Sequence, residues 1–354
     1  MEPCKVLTIF GITGSQGGSV ARSLLKNKVN RFVLRGITRN LDSDQSKVLS
    51  AEGVDMVQAD GLIPEQMAQA LEGSWGIFVN LPSDDPSIGK PNGPSETDLG
   101  MAVVDAAVKA DVQHFVFSGM VSATKITNGA VPNPSFDGNN RPREYMIQEL
   151  VTDECKEKHS IAEYAKGKNF KSVVVVSPGW YMENHLVQEA PGLFGGFPFL
   201  TDEEGYVTLR FPRWGGNEEM PVVSIEHDYG DIVNGVFQEP EKYHGQLIQG
   251  ISESTPASRM AEAFETATGR RCRFITDDDW ESFDTHGQRA LEGVKYTFGF
   301  CQYSGGLYYG EPNDLAMARM LKRVAKKVQG ESGGELMTLK RFFSLHFVPS
   351  ESRA

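Results

Sequence analysis

Short apolar runs recur through the first half of the chain, and stretches of helical period separate them. Lys5–Phe10 reads as a first strand, and a glycine-rich turn leads from it into the helical pattern Val20–Leu25. Phe32–Thr38, Val54–Gln58, Gly76–Asn80, His114–Ser118 and Ser172–Val176 read as five further strands. Pro64–Leu71, Leu99–Ala110 and Glu154–Ala165 read as helices, with more helical character near Glu144. Strands that are apolar throughout and alternate with helices predict an α/β fold, a parallel sheet covered on both faces. In such a fold ligands sit at the carboxyl ends of the strands, and Gly11, Arg39, Asp60, Asn80 and Ser118 all fall at or just past such ends.

After Ser118 the pattern breaks into a long connection, about residues 122–152, rich in Asn, Pro and Gly between Thr127 and Arg143. The second half is less regular, with short strands Val222–Ser224 and Leu247–Gln249 and helices Asp228–Gln238 and Ala257–Thr268. The division this predicts is a nucleotide-binding domain over 1–178 and a smaller α/β substrate or partner domain over 179–330. Residues 331–354 read as a linker at Gly330–Gly334 and one amphipathic helix at Leu336–Phe347.

The turn Gly11-Ile12-Thr13-Gly14-Ser15-Gln16-Gly17 stands between the first strand and the first helix. Glycines there permit positive φ and a close backbone approach to a pyrophosphate, and the helix N-terminus favours an anion. This context predicts a Rossmann-type, doubly wound dinucleotide fold. The residue at the end of the second strand selects the dinucleotide: a carboxylate suits the ribose of NAD, a cation the 2′-phosphate of NADP. Here it is Arg39, and a guanidinium grips phosphate in a bidentate way, so NADP(H) is the expected cofactor.

The chain has 354 residues, 35 basic against 47 acidic, for a formal net charge of −12. That balance speaks against direct nucleic-acid binding, which needs clustered positive charge. Cys4, Cys155, Cys272 and Cys301 are scattered, with no Cys-x-x-Cys pair, and the seven histidines show no metal-ligand spacing. No metal is expected, and His227 and His244 read as structural. No run approaches the ~20 apolar residues of a membrane helix, and the N-terminus lacks a signal-peptide pattern. The expected setting is reducing and cytoplasmic, or nuclear for a regulator.

On these residues the chain resembles the NmrA-like family, a branch of the atypical short-chain dehydrogenase/reductase superfamily. Phe10–Leu25 resembles its nucleotide loop, Thr38-Arg39-Asn40 its 2′-phosphate site, and His114–Gly119 its fifth strand. Tyr181-Met182-Glu183-Asn184 resembles the turn that touches the nicotinamide half of the cofactor. Glu226-His227-Asp228 and Glu239–Gln246 resemble the second domain. The resemblance implies NADP(H) held by Gly11, Ile12, Thr13, Gly14, Ser15, Gln16, Gly17, Arg39, Asn40, Ser43, Asp60, Gly61, Asn80, Leu81, Lys158, Tyr181, Met182, Glu183 and Asn184. It implies either a reductase of specialised metabolism or a dinucleotide-sensing regulator, as in fungal nitrogen metabolite repression. The connection after Ser118 is longer than the family's, so no substrate or partner contact is carried over there.

Hydride transfer needs a positioned cofactor and a proton donor. Tyr164 and Lys168 match Tyr-x-x-x-Lys literally, but they stand at the end of their helix, away from the strands' carboxyl edge. Lys158 stands twenty residues before Pro178, the spacing of the family's cofactor-contacting lysine, with Glu154 where a tyrosine would be. Its alternative is a surface lysine paired with Glu154 or Glu157. Ser118 and Tyr181 are the other candidate catalytic residues. Phe194, Phe197, Phe199, Phe211 and Trp214 either line an apolar pocket or pack the second domain. The leading expectation is an NADP(H)-dependent oxidoreductase reducing a small aromatic or polyketide-like carbonyl or enone. The rival is a non-catalytic sensor that binds a transcription factor or enzyme. An apolar small molecule is the expected partner, with a protein partner or homodimer also open.

Overall fold

The computed structural model describes residues 4–82, 88, 93–131, 133, 158–187 and 194–349. Its strands are β1 (Lys5–Phe10), β2 (Phe32–Thr38), β3 (Asp55–Gln58), β4 (Ser74–Val79), β5 (His114–Phe117), β6 (Ser172–Pro178), β7 (Trp180–Tyr181), β8 (Val207–Pro212), β9 (Met220–Val223), β10 (Leu247–Gly250), β11 (Glu253–Thr255) and β12 (Cys272–Asp277). Seven form one sheet in the order β10-β6-β5-β4-β1-β2-β3, every neighbouring pair parallel. Successive strands leave β1 in opposite directions, so the topological switch point lies between β1 and β4.

Alternate residues along each strand feed opposite cores. Ile77, Val79, Phe115, Phe117, Val173 and Val175 face one side, while Phe78, Val116, Val174 and Val176 face the other. Helices α1 (Ser15–Leu25), α2 (Asp44–Ala51), α3 (Pro64–Leu71), α4 (Glu96–Lys109), α5 (Ala123–Ile126) and α6 (Lys158–Lys166) come from the first half. Helices α7 (Gly230–Gln238), α8 (Ala257–Thr268), α9 (Arg289–Tyr303), α10 (Ala316–Gln329) and α11 (Leu339–Phe347) come from the second. Helices α3, α4 and α6 pack together on one face of the sheet, and α1, α7 and α10 on the other.

A division at residue 178 therefore does not coincide with the layers. Strand β10 completes the large sheet, and α7 and α10 cover it from beyond that point. The pattern did not reveal this because β10 is only four residues long and lies far along the chain from its neighbour β6. The rest of the second half builds two small sheets, β11-β9-β7 and β12-β8. The last helix starts at Leu339 rather than Leu336, because the Thr338 side chain caps it by accepting from the Arg341 amide. Most of the long connection after Ser118 lies outside the described residues. Its opening is anchored, with Val131 buried and the buried Asn133 donating to Thr297 Oγ1 at 3.1 Å.

Helix α7 sits unusually close to its neighbours. A Cβ built on Gly230 would lie 2.3 Å from the Ser19 carbonyl oxygen, and one on Gly235 would lie 2.4 Å from that of Leu321. Between these contacts runs a buried polar network. Asp231 accepts from Ser23 and from Gln329 Nε2 (2.9 Å) and pairs with Lys326 (3.0 Å), while Asn234 Nδ2 donates to Asn27 Oδ1 (2.9 Å). One turn earlier, Asp228 is fully buried against Lys322, Ser252 and the Met337 amide.

Removing one member of a buried pair leaves the other's charge uncompensated. Asp228→Ala should therefore cost about 3–5 kcal/mol in denaturant unfolding. Lys242→Ala, which breaks an exposed pair with Glu239, should cost less than about 1 kcal/mol. Equal, small effects would show that the buried pair does not hold the turn before α7 to α10.

Candidate functional site

The glycine turn is built by backbone proximity. Gly11 has φ +77°, and a Cβ on it would lie 2.2 Å from the Asn80 carbonyl oxygen across the switch point. A Cβ on Gly17 would lie 2.3 Å from the Gly11 carbonyl oxygen, so the first turn of α1 rests directly on the end of β1. Gly14 differs. It is exposed, its φ is −79°, and a Cβ there would meet nothing closer than 3.4 Å. The protein's own packing does not require glycine at 14, so its bare face is free to receive a ligand. Gly14 offers no side-chain cap and α1 carries no acidic residue in its first turn. Ser15 is exposed at the same N-terminus, and such an end attracts an anion. Ile12 is fully buried, which leaves only its backbone to the site, and Thr13 is half-buried.

At the end of β2, Arg39 is exposed and its carbonyl accepts from Gln58 Nε2 at 3.0 Å. The turn behind it is stiffened at Asn40, whose carbonyl accepts from Ser43 Oγ (3.2 Å) and Ser46 Oγ (2.8 Å). Ser43 also caps α2. The neighbouring Arg35 is committed to Asp55 and to the Ala70 and Glu72 carbonyls. Past β3, Asp60 accepts from the Leu62 amide (3.0 Å), and Gly61 lies tight against Leu99 and Phe10. Past β4, the Asn80 amide donates to the Phe10 carbonyl at 3.1 Å and Leu81 is buried.

The candidate catalytic residues divide into two groups. Ser118 Oγ donates to Gln16 Oε1 at 2.6 Å, and Gln16 Nε2 donates to the Tyr181 hydroxyl. The loop helix, the end of β5 and β7 thus meet at one amide. Tyr229 lies nearby: it donates to the Val176 carbonyl (3.0 Å), and burial pushes its phenol above the ordinary tyrosine value. Lys158 opens α6 and pairs at 3.1 Å with Glu96, which is almost completely buried at the start of α4. It is not a solvated surface lysine, and Glu154 and Glu157 lie outside the described residues.

Glu96, Gln16 as a bridge, and Tyr229 were not singled out from the sequence as candidate chemistry. Glu96 had a signal: Ser95 and Asp98 form a capping box that starts the helix three residues before Leu99. Tyr164 and Lys168 both bond Asp105, at 2.8 and 2.9 Å, toward the opposite edge of the sheet.

In the turn after β7, Met182 is fully buried and Asn184 is exposed. The Glu183 carboxylate accepts from Ser224 Oγ (2.9 Å) and from the Ile225 and Glu226 amides (3.1 Å each), capping a π-helix at Ile225–Tyr229. The aromatics Phe194, Phe197, Phe211 and Trp214 are all buried in the larger core. His244 accepts from the Val173 amide at 3.1 Å. Glu226, His227 and His346 come together with ligand atoms within 4.8 Å of one another, a grouping that linear spacing could not reveal. Among the described residues no helix is long and apolar enough to cross a membrane.

These features define a Rossmann-like α/β protein with its glycine turn at the switch point. The chain belongs to the NmrA-like family, whose sequence profile matches residues 3–312. It is 42% identical to the NmrA-like family domain-containing oxidoreductase hkm9 of Aspergillus hancockii, over 97% of each chain. It is 41% identical to the similarly named FrzB of Cladobotryum sp, over 97% of this chain and 98% of that one. Among solved structures it is similar to NmrA, a negative transcriptional regulator crystallised with NADP (TM-score 0.68, 18% identity, 97% and 95% covered). It is also similar to the NADPH-dependent quinone oxidoreductase QOR2 of Escherichia coli (TM-score 0.63, 18% identity, 96% and 99% covered). At these identities the structural likeness is one of fold.

His185, next after this turn, is buried among Phe194, Phe197 and Phe343, and neither ring nitrogen has a partner among the described residues. Burial pushes its pKa down from 6.5 to about 4. Between those values the unfolded chain binds a proton that the folded chain refuses. Stability is therefore fully present above pH 6.5 and falls as pH drops toward 4, by about 3 kcal/mol from this group. Burial lowers His114 in the same way, so part of the slope persists without His185. Guanidinium midpoints at pH 7 and pH 5 should converge in His185→Phe relative to the unsubstituted protein. An unchanged difference would place the pH dependence elsewhere.

Proposed function

We propose that the protein is an NADP(H)-dependent oxidoreductase that reduces a small conjugated carbonyl or enone. The observation that carries this reading is the pairing of an open Gly14 at the α1 N-terminus with Arg39 presented at the end of β2. In this reading the amides of residues 13–17 hold the pyrophosphate and Arg39 holds the 2′-phosphate, with Asn40 and Ser43 shaping its turn. Asp60, Gly61, Asn80 and Leu81 border the path between the phosphates and the nicotinamide. The named oxidoreductases among the relatives, and the solved relatives crystallised with NADP or NADPH, support it.

The cofactor supplies the hydride. The chain's part is to orient, to exclude water and to deliver a proton. Ser118, Gln16 and Tyr181 form one hydrogen-bonded unit at the nicotinamide end, which fixes the Tyr181 ring and turns Ser118 toward the loop helix. Lys158 would donate to the nicotinamide ribose, aimed by its pairing with Glu96. The second reading, a sensor that reports NADP(H) to a protein partner, is favoured by one observation. The literal Tyr164–Lys168 pair is spent on Asp105, so among the described residues this tyrosine–lysine pair does not serve the carboxyl edge.

Arg39→Ala should weaken NADP(H) by about 1.5–3 kcal/mol and leave NAD(H) nearly unaffected, as read by calorimetric titration. Equal affinity for both dinucleotides in the unsubstituted protein would sink the assignment. Gly14→Val should abolish binding of either dinucleotide while the circular dichroism spectrum and melting profile stay intact, since a Cβ there clashes with no protein atom.

Lys158→Ala separates the two readings. In a reductase, turnover should fall about 100-fold or more, with a much smaller loss of cofactor affinity. In a sensor, no carbonyl in a panel would support NADPH consumption, before or after the change.

A further inference from the structure

Four tyrosines gather where β6 ends. The Tyr229 hydroxyl donates to the Val176 carbonyl, the Tyr308 hydroxyl to the Pro178 carbonyl at 3.3 Å, and the Tyr181 hydroxyl receives the Gln16 amide. The fourth is different. The Tyr309 hydroxyl is buried and has no hydrogen-bond partner among the described residues. It lies against Gly179, the first residue past β6, where a Cβ would stand 3.0 Å from it. That edge is where ligands sit in open parallel sheets.

Tyr309 is not isolated. The indole N–H groups of Trp180 and Trp214 are also buried without a partner. The rings form a continuous row: Trp180 to Trp214 at 6.4 Å, Trp214 to Tyr308 at 5.7 Å, and Tyr308 to Tyr309 at 5.0 Å between centroids. Trp180, Trp214 and Tyr309 are each at most 7% exposed. A buried polar group left unsatisfied costs about 1–3 kcal/mol, and native proteins keep few of them. Three in one row of rings call for a common explanation. An indole N–H only donates and a phenol can donate, so whatever satisfies all three carries acceptors. The donors are carried on aromatic rings, and a conjugated body packs well against aromatic rings.

We propose that this row is the substrate subsite, that it takes a planar conjugated compound bearing two or more carbonyl oxygens, and that Tyr309 is the proton donor. The proposal rests on the reductase reading and names its substrate class and its acid. The reacting carbonyl carbon gains a hydride from NADPH, which becomes NADP+. The carbonyl oxygen gains the Tyr309 phenolic proton, and the phenolate recovers a proton from water. The product is the hydroxyketone. Trp180 and Trp214 donate to the second carbonyl and hold the plane of the substrate.

The test uses the full chain and 9,10-phenanthrenequinone, a flat dicarbonyl. Calorimetry on NADP+-loaded protein reads its binding, and absorbance at the NADPH band reads turnover. In Tyr309→Phe, kcat should fall about 100-fold or more while NADPH affinity stays unchanged. Tyr303→Phe, at the exposed end of α9 and outside the row, should stay within about threefold in kcat, well short of a general-acid loss. Trp214→Phe should raise KM about tenfold with kcat little altered, the pattern of lost binding rather than lost chemistry. Tyr309→Phe with undiminished kcat would overturn the proton donor. NADPH binding without any phenanthrenequinone binding would overturn the subsite and leave the cofactor assignment standing. Failure to bind NADPH would instead remove the reductase reading, and the proposal with it.

Discussion

The contact on which the rest of the site depends is between backbones. Gly17 rests on the Gly11 carbonyl, and Gly11 rests on the Asn80 carbonyl across the switch point. No side chain can stand in either gap, so the first turn of α1 lies as near to the ends of β1 and β4 as atoms allow. This places an uncapped helix N-terminus over the crevice where the strand order reverses. An anion bound there meets N–H groups and the positive end of the helix together. Gly14, where a Cβ would make only ordinary contacts with Gly11 and Asn80, is the face left open between them.

The other side of α1 is held differently, and by the other half of the chain. Ser23 and Asn27 are tied to Asp231 and Asn234 of α7, and through Asp231 to α10. A polar seam adds little net stability over an apolar one, because desolvation offsets most of the attraction. It is selective, however: each donor must find its acceptor, so only one rotation of α7 on α1 satisfies the set. With Gly230 and Gly235 bringing the helix backbones close, the seam fixes the loop helix from behind. The second half therefore acts on the cofactor crevice through α1 as well as across it.

What was legible in the sequence follows from this division. The strands Lys5–Phe10 and Phe32–Thr38 and the helices Pro64–Leu71 and Ala257–Thr268 keep the boundaries their patterns announce, because local periodicity decides them. The phosphate end of the site was legible for the same reason: Gly11 to Gly17 and Arg39 act through neighbours in sequence. Strand β10 was legible as Leu247–Gln249 but its place at the edge of the large sheet was not, nor were the two-residue β7 and the pair β8–β12, because short strands take their pairing from distant partners. Gln16 as the link between Ser118 and Tyr181 was invisible likewise, since those contacts span 102 and 165 positions. The glycines that look alike in sequence also proved unlike in space. Gly11 and Gly17 are required by packing, and Gly14 is not.

The pairing of Lys158 bears on how a proton could be delivered. A lysine beside a tyrosine works by making the phenol a better acid, since its positive charge favours the phenolate. The carboxylate of Glu96 stands 3.1 Å from this ammonium and offsets that charge locally. A lysine so neutralised is a poor activator of a distant phenol, but it is a well-aimed hydrogen-bond donor, because it is mostly shielded from water and the buried carboxylate fixes its direction. Orientation of a ribose asks only for that. The acid must then come from a group that acts as a neutral donor, and burial holds the Tyr309 phenol well above its ordinary value and so neutral at any working pH. Such a phenol is a weak acid in the ground state. It transfers its proton only once the hydride has begun to turn the carbonyl oxygen into an alkoxide, a stronger base than phenolate. Proton delivery would therefore follow hydride transfer, and water that reached the oxygen first would compete. A row of buried rings such as Trp180, Trp214, Tyr308 and Tyr309 would keep that water out.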